Sequence, residues 1–383
     1  MDLLKYGAAD MFWKMVHSTT GFNASENIDD LMDHVVLSAI SRTISSDVLS
    51  GLEERYSDIH SGFCYDMIFS WIHGSDQDTF KPISDFVTAD LNLLDRFNKF
   101  EIEYLIDTDV LPAIDEVILS KLMHYIISQN INTDTIMSTV EKRRTSAWYE
   151  NYSYFYEGIY QVALMNRFYE THLNIFHHVN AKDMWDTYTS DYYQMDTYYR
   201  EFHNAFSNCL QVTHPSLDDD FKDLADYVEK EYKNWYLEKL ASNWNKVIEK
   251  DLSTTGYITG IAQQTDFYRD IVKKVDGKVF VIVSDAMRYD VAYTLARQLE
   301  LETNADVKIS AQQGIYPTIT KFGMAALLPH KKLETVVQNE SIKVLVDGHT
   351  SEMSDRDGIL KSYSENSICL LYTSPSPRDG ATS

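Results

Sequence analysis

Six consecutive residues, Lys278-Val-Phe-Val-Ile-Val283, are almost wholly apolar and β-branched or aromatic, and they end at Ser284-Asp285. Such a run, closed by a polar pair, has the composition of a central strand in a parallel sheet covered on both faces. Ligands of open α/β sheets bind beyond the carboxyl ends of the strands, so Asp285 stands where a metal ion or a substrate would be held. Val291, Ala292, Leu295, Ala296 and Leu299 then recur at helical spacing, which predicts a helix over 289–300 with one face buried. A second strand is expected over 306–309, leading into Gly314-Ile-Tyr-Pro-Thr-Ile-Thr-Lys-Phe-Gly323. Pro317 forces extended or turn geometry on the residue before it. A helix over 321–328 would set Thr318 and Thr320 at or near its N-terminus, where backbone N–H groups and the dipole favour an anion. Two strand ends would thus offer a carboxylate and a hydroxyl side by side.

The remainder of the chain is less specific. Its 383 residues suit two or three domains. A net charge of −24 argues against a broad nucleic-acid backbone site, which needs clustered Lys and Arg. Cys64, Cys209 and Cys369 are far apart and odd in number, which fits a reducing cytosol and therefore a cytoplasmic protein. Neither a secretion signal nor a membrane span is legible. Over 1–140 the pattern is helical: Ile28, Leu31, Val35, Val36 and Ala39 form one stripe, capped by Asn27 or Asp29, and Leu93, Leu94, Phe97, Phe100 and Ile102 suggest another. Gly74 and Pro82 mark an expected loop between them.

Residues 141–275 are helical and aromatic-rich, with Trp148, Tyr149, Tyr152, Phe155 and Tyr156 closely spaced. Helix–helix packing accounts for them, and a stacking platform for single-stranded nucleic acid is the rival reading. Arg143 and Arg144 read as a solvated helix end. His177, His178, His203 and His214 lack metal-ligand spacing. Asp218-Asp-Asp220 opens an amphipathic helix, residues 253–260 form a turn-rich joint, and 263–275 read as a last helix before a boundary at Asp276-Gly277.

The segment VSDAMRYDVA, followed about thirty residues on by YPTITKFGMAALLPH, closely resembles the PglZ domain of the alkaline phosphatase superfamily, and most of all the larger PglZ proteins of BREX phage-resistance systems. VLVDGHTSEMSDRDGIL resembles the next strand and loop of that family, and the likeness extends from about Lys142 to Leu360. The fold implied is α/β: an N-terminal all-helical region followed, over 277–368, by the first half of an alkaline-phosphatase-like sheet domain. The resemblance implies a metal-dependent phosphoesterase, with Asp285 as metal ligand and Thr320 as nucleophile and ligand. Thr318 competes for either role, and Asp290 is assigned to helix-start stabilisation. It further implies a divalent metal, zinc with two ions in a complete protein, a phosphate-ester or nucleotide substrate, and other BREX proteins as partners. It leaves nucleic-acid contact open. A non-catalytic assembly subunit that docks partner proteins is the alternative.

The family's remaining Asp and His ligands are expected beyond the end of this chain, and His330 and His349 lack their context. The chain therefore reads as an inactive internal fragment whose Met1 is not the natural start. From Cys369, CLLYTSPSPRDGATS shifts abruptly in composition and resembles a translated transposon adapter, so 369–383 are taken as a non-native tail.

Overall fold

The computed structural model describes residues 5–173, 176–338 and 340–369. The chain forms two compact units, Met1–Leu173 with Met195–Leu237, and Asn174–Gln194 with Glu238–Ser383. All but one residue of the adapter-like stretch lies outside the described residues, the exception being Cys369, whose N–H donates to Asp357 Oδ1 at 3.0 Å.

The first unit is helical. The Ile28–Ser41 helix buries Leu31, Val35, Val36 and Ala39 as the stripe requires, and Asn27 Oδ1 accepts from Asp29 N at 3.0 Å as its cap. The loop expected around Pro82 is instead the helix Gln77–Asp90, with Pro82 inside it. Its second turn gives up one backbone hydrogen bond there, a loss the burial of Phe80, Ser84 and Val87 offsets. The Asp218–Lys230 helix opens with three acidic residues in its first turn, as its sequence indicates.

The aromatic stretch packs as a core. Trp148, Tyr152, Phe155 and Tyr156 are buried along and just before the Tyr149–Thr171 helix. Gly158 of that helix lies against Phe221, where an added Cβ would come within 2.7 Å of the ring's Cζ. Phe221 is hemmed in by Phe155, Phe202 and Phe206 at centroid distances of 4.9, 5.7 and 5.4 Å. Gly158→Ala gains about 1 kcal/mol of helix propensity. Overpacking a filled core costs about 1–3 kcal/mol, so the substitution should lower stability by roughly 1 kcal/mol, and Phe221→Leu should erase the penalty. Urea denaturation of the single and double variants measures this.

Arg143 does not end its helix in solvent. It is 2% exposed, and its guanidinium grips the fully buried Asp115 with Nε to Oδ1 at 2.9 Å and Nη2 to Oδ2 at 2.7 Å. Nη1 donates to the carbonyls of Ile106 and Thr108, and the Tyr156 hydroxyl donates to Asp115 Oδ1 at 2.6 Å. Ser146 is the one near partner of Arg143 among the described residues, but Asp115, Ile106 and Thr108 lie 28 to 37 residues away, so no local pattern announces the buried pair.

A second buried carboxylate is less well compensated. Asp33 Oδ1 has no partner among the described residues, and Arg55 lies 3.7 Å from Oδ2 and 3.8 Å from Asp90. Burial, then hydrogen bonding and repulsion from Asp90, push the Asp33 carboxyl up to about 7 from an ordinary 3.8, against the pull of Arg55. The folded state therefore holds a proton that the unfolded chain has released, so stability falls as pH rises from about 4 to about 7. Asp33→Asn should remove that slope and raise the melting temperature at pH 8 more than at pH 5, which thermal scans at both pH values would report.

In the second unit the strand expected at 278–283 does not form: among the described residues no backbone hydrogen bond joins it to another segment. Phe280 is 78% and Ile282 91% exposed. Residues 306–309 likewise form no strand. A strand needs a neighbour's N–H and C=O groups, and composition alone cannot supply one. The sheet that forms is a small antiparallel one, in the order β1 (Leu333–Gln338), β2 (Ser341–Val346) and β3 (His349–Thr350). Leu333 pairs with Val346 and Gln338 with Ser341. Val344 and Val346 of β2 pack with Phe322, Ala325, Leu328 and Ile359, so the sheet and the helices Thr320–Leu327 and Arg356–Tyr363 share one apolar core. The architecture is thus a helical N-terminal region followed by a segment in which short helices pack on a small antiparallel sheet.

Candidate active site

Asp285 follows that unpaired segment and opens a turn. Ala286 follows in the left-handed region at φ 57, and its N–H donates to Asp285 Oδ1 at 3.0 Å. A non-glycine residue there carries backbone strain. The Tyr289–Glu302 helix begins three residues later, within two residues of the bounds its periodicity predicts. The other carboxylate oxygen is also engaged: Thr320 Oγ1 donates to Asp285 Oδ2 at 3.0 Å. The two groups singled out from sequence therefore meet across 35 residues, both exposed.

Thr320 is the first residue of the Thr320–Leu327 helix, behind an extended Ile319 and the cis Tyr316–Pro317 bond. The N–H groups of Phe322 and Gly323 turn back to the Ile319 carbonyl at 3.0 and 3.1 Å. Those of Thr320 and Lys321 have no backbone partner among the described residues, which leaves them open to an anion. Thr318 is exposed in the preceding loop, and its hydroxyl makes no hydrogen bond among the described residues. Asp290 is fully buried in the first turn of its own helix, where it accepts from Arg288 Nε at 2.9 Å.

Two glutamines that sequence spacing did not mark hold the threonine loop. Gln313 is 4% exposed, and its side chain accepts from Ile258 N at 2.8 Å and donates to the carbonyls of Ile258 and Ile261. The backbones of Gln263 and Gln313 form an isolated parallel bridge. Gln264 Oε1 accepts from Ile315 N at 3.2 Å, and a Cβ on Gly323 would lie 3.4 Å from its Nε2. The loop is thus fixed at 313–315 and again at Gly323, on either side of Thr320.

The donors present are a carboxylate and a hydroxyl, both hard oxygens suited to a divalent cation. Among the described residues no three His, Cys, Asp or Glu side chains gather closely enough to hold a metal ion. Asp285 and Thr320 fit such an ion as part of its coordination, with the remaining ligands to come from other groups. Three of the histidines are engaged locally: His178 Nε2 meets the Tyr192 hydroxyl at 3.0 Å, His203 lies 3.1 Å from Glu229, and His330 bonds the Leu328 carbonyl.

Residues 265–373 match the family model of the BREX system PglZ alkaline phosphatase-like domain. The chain is 29% identical over 377 residues to an alkaline phosphatase-like protein PglZ of Bacillus cereus (strain H3081.97), a match covering 97% of this chain and 43% of that protein. It is 27% identical over 378 residues to an alkaline phosphatase-like protein BrxZ of Escherichia coli O9:H4 (strain HS), covering 94% of this chain and 43% of that one. The chain therefore spans less than half the length of these relatives. No solved structure matches it. The segment that brings Asp285 to Thr320 lies within the stretch that is similar to the PglZ alkaline phosphatase-like domain, on a chain similar to PglZ and BrxZ proteins along nearly its whole length.

Proposed function

We propose that this chain is part of a metal-dependent phosphoesterase of a BREX phage-resistance system, with Thr320 as nucleophile and Asp285 as metal ligand. The observation that supports this reading is the 3.0 Å hydrogen bond from Thr320 Oγ1 to Asp285 Oδ2, at a helix N-terminus with two free amides. A bound divalent ion, zinc by family likeness, would lower the pKa of the hydroxyl and offset charge on the phosphoryl group. Asp285 orients Oγ1 by accepting its proton, and the amides of Thr320 and Lys321 are available to phosphoryl oxygens. A bond forms from Oγ1 to phosphorus as the bond to the leaving alcohol breaks, and that alcohol takes up a proton. Water then attacks phosphorus and restores the hydroxyl. The substrate class is a phosphate ester or nucleotide, and the partners are other components of the same defence system. Free Cys64 and Cys209, both buried, fit action in the cytoplasm. Among the described residues no helix is long and apolar enough to cross a membrane.

Hydrolysis of bis(p-nitrophenyl) phosphate by a longer relative, such as the Bacillus cereus protein, tests the reading. Turnover should stop on adding EDTA and return with excess Zn²⁺. Undiminished turnover after exhaustive chelation would overturn it.

A further inference from the structure

The first unit contains a cavity of about 480 Å³ between the Tyr149–Thr171 helix and the loop at 212–216. That volume falls in the range of small-molecule sites, roughly 300–1,000 Å³. Its walls are rich in rings. Tyr152 and Phe155 are buried in its floor, His214 stands edge-on to Phe155 at 5.2 Å, and Tyr154 is 46% exposed. Ring faces of this kind take a flat aromatic partner.

The polar groups narrow the chemistry further. Of the two carboxylates in the lining, Glu150 is exposed to solvent, and both oxygens of Glu116 are occupied, by the Tyr152 hydroxyl at 2.9 Å and the Ser216 hydroxyl at 2.8 Å, so the Glu116 carboxylate is not waiting for a cation. Lys81 is the one lysine or arginine in the lining and is already 3.5 Å from Asp85, so the site is not built for phosphate. Four lining side chains that can both donate and accept have no hydrogen-bond partner among the described residues: the Asn151 amide, the hydroxyls of Tyr154 and Thr213, and the His214 ring. An amide placed beside a ring can pair with the edge of a heterocycle while the ring stacks on its face.

From these features we infer that the cavity is a binding site for an uncharged planar nitrogen heterocycle of nucleoside size, separate from the site at Asp285 and Thr320 and not dependent on the function proposed for it. Tyr154 supplies the stacking face, Asn151 pairs with the heterocycle edge, and Thr213 hydrogen-bonds the sugar.

Saturation-transfer difference NMR on the whole chain, with adenosine, guanosine, cytidine and uridine each as the probe, tests this. At least one nucleoside should receive saturation, and its 5′-monophosphate should bind no more tightly. Tyr154→Ala and Asn151→Ala, both at exposed positions, should each weaken binding, the first at least about fivefold, the lower bound for a lost base stack, the second about two- to tenfold, as for a lost hydrogen bond. Val212→Lys, at the exposed rim, is a second way to block the cavity should either variant melt early. No transfer from any nucleoside at millimolar concentration would overturn the proposal. So would transfer that survives all three substitutions, or preferential binding of N-acetyl-tyrosine amide, which would mark the cavity as a seat for a protein side chain.

Discussion

Asp115→Ala is expected to destabilise the first unit by about 3–5 kcal/mol, because it leaves the Arg143 guanidinium buried and without its counter-charge. Hydrogen bonds from Arg143 and Tyr156 converge on this carboxylate, and the low local dielectric makes each deletion costly. Arg143→Lys should also destabilise, since an ammonium cannot reproduce the two-pronged grip and the two carbonyl contacts together. Combining Asp115→Leu with Arg143→Met, which replaces the ion pair by apolar side chains, should cost much less than either single change, although Tyr156 then loses its acceptor. Two compact units make one global unfolding energy ill-defined. Hydrogen exchange of amides in the Thr133–Arg143 helix gives the local value, and protection unchanged by D115A would refute this account.

Thr320→Ala is expected to lower phosphoesterase turnover on the order of 10³-fold or more, since no other hydroxyl is bonded to Asp285 among the described residues. At about 1.4 kcal/mol per tenfold, that is at least roughly 4 kcal/mol of lost transition-state stabilisation. Thr320→Ser keeps Oγ1 and should retain most of the rate. Thr318→Ala, in the loop before the helix, should have a small effect. The measurement is steady-state hydrolysis by a longer relative changed at the matching threonines. Comparable losses for the two alanine variants would move the nucleophile to the loop or remove it altogether. Metal content should persist in the Thr320 variant and fall in Asp285→Ala, which elemental analysis separates from loss of chemistry alone.

The parts of this protein that were legible in its sequence rest on local physics. The Asn27 cap, the apolar stripe behind it and the acidic first turn at Asp218 follow from spacing within one or two helical turns. The meeting of Asp285 and Thr320 was expected from two strand ends that do not form: Asp285 closes an unpaired segment, Thr320 opens a helix, and one hydrogen bond joins them. Arg143 shows where such reasoning stops. A basic residue in a last helical turn is ordinarily solvated, and only the return of the chain through Asp115 and Tyr156 turns it into a buried ion. Gln264 and Gln313 were silent for a similar reason, because an amide that clamps backbone groups fifty residues away has no characteristic spacing.

The bare stretch from Lys278 to Val283 has a practical corollary. Among the described residues this row of amides and carbonyls beside the exposed Phe280 and Ile282 is unpaired, and unpaired edges of that kind favour strand pairing between copies of one chain. Self-association through it would grow with protein concentration and resist salt, because chain-to-chain main-chain bonding is not ionic. A lysine at position 282 would place a charge on each facing copy, so preparations of Ile282→Lys should stay dispersed at concentrations where the parent chain gathers into larger species.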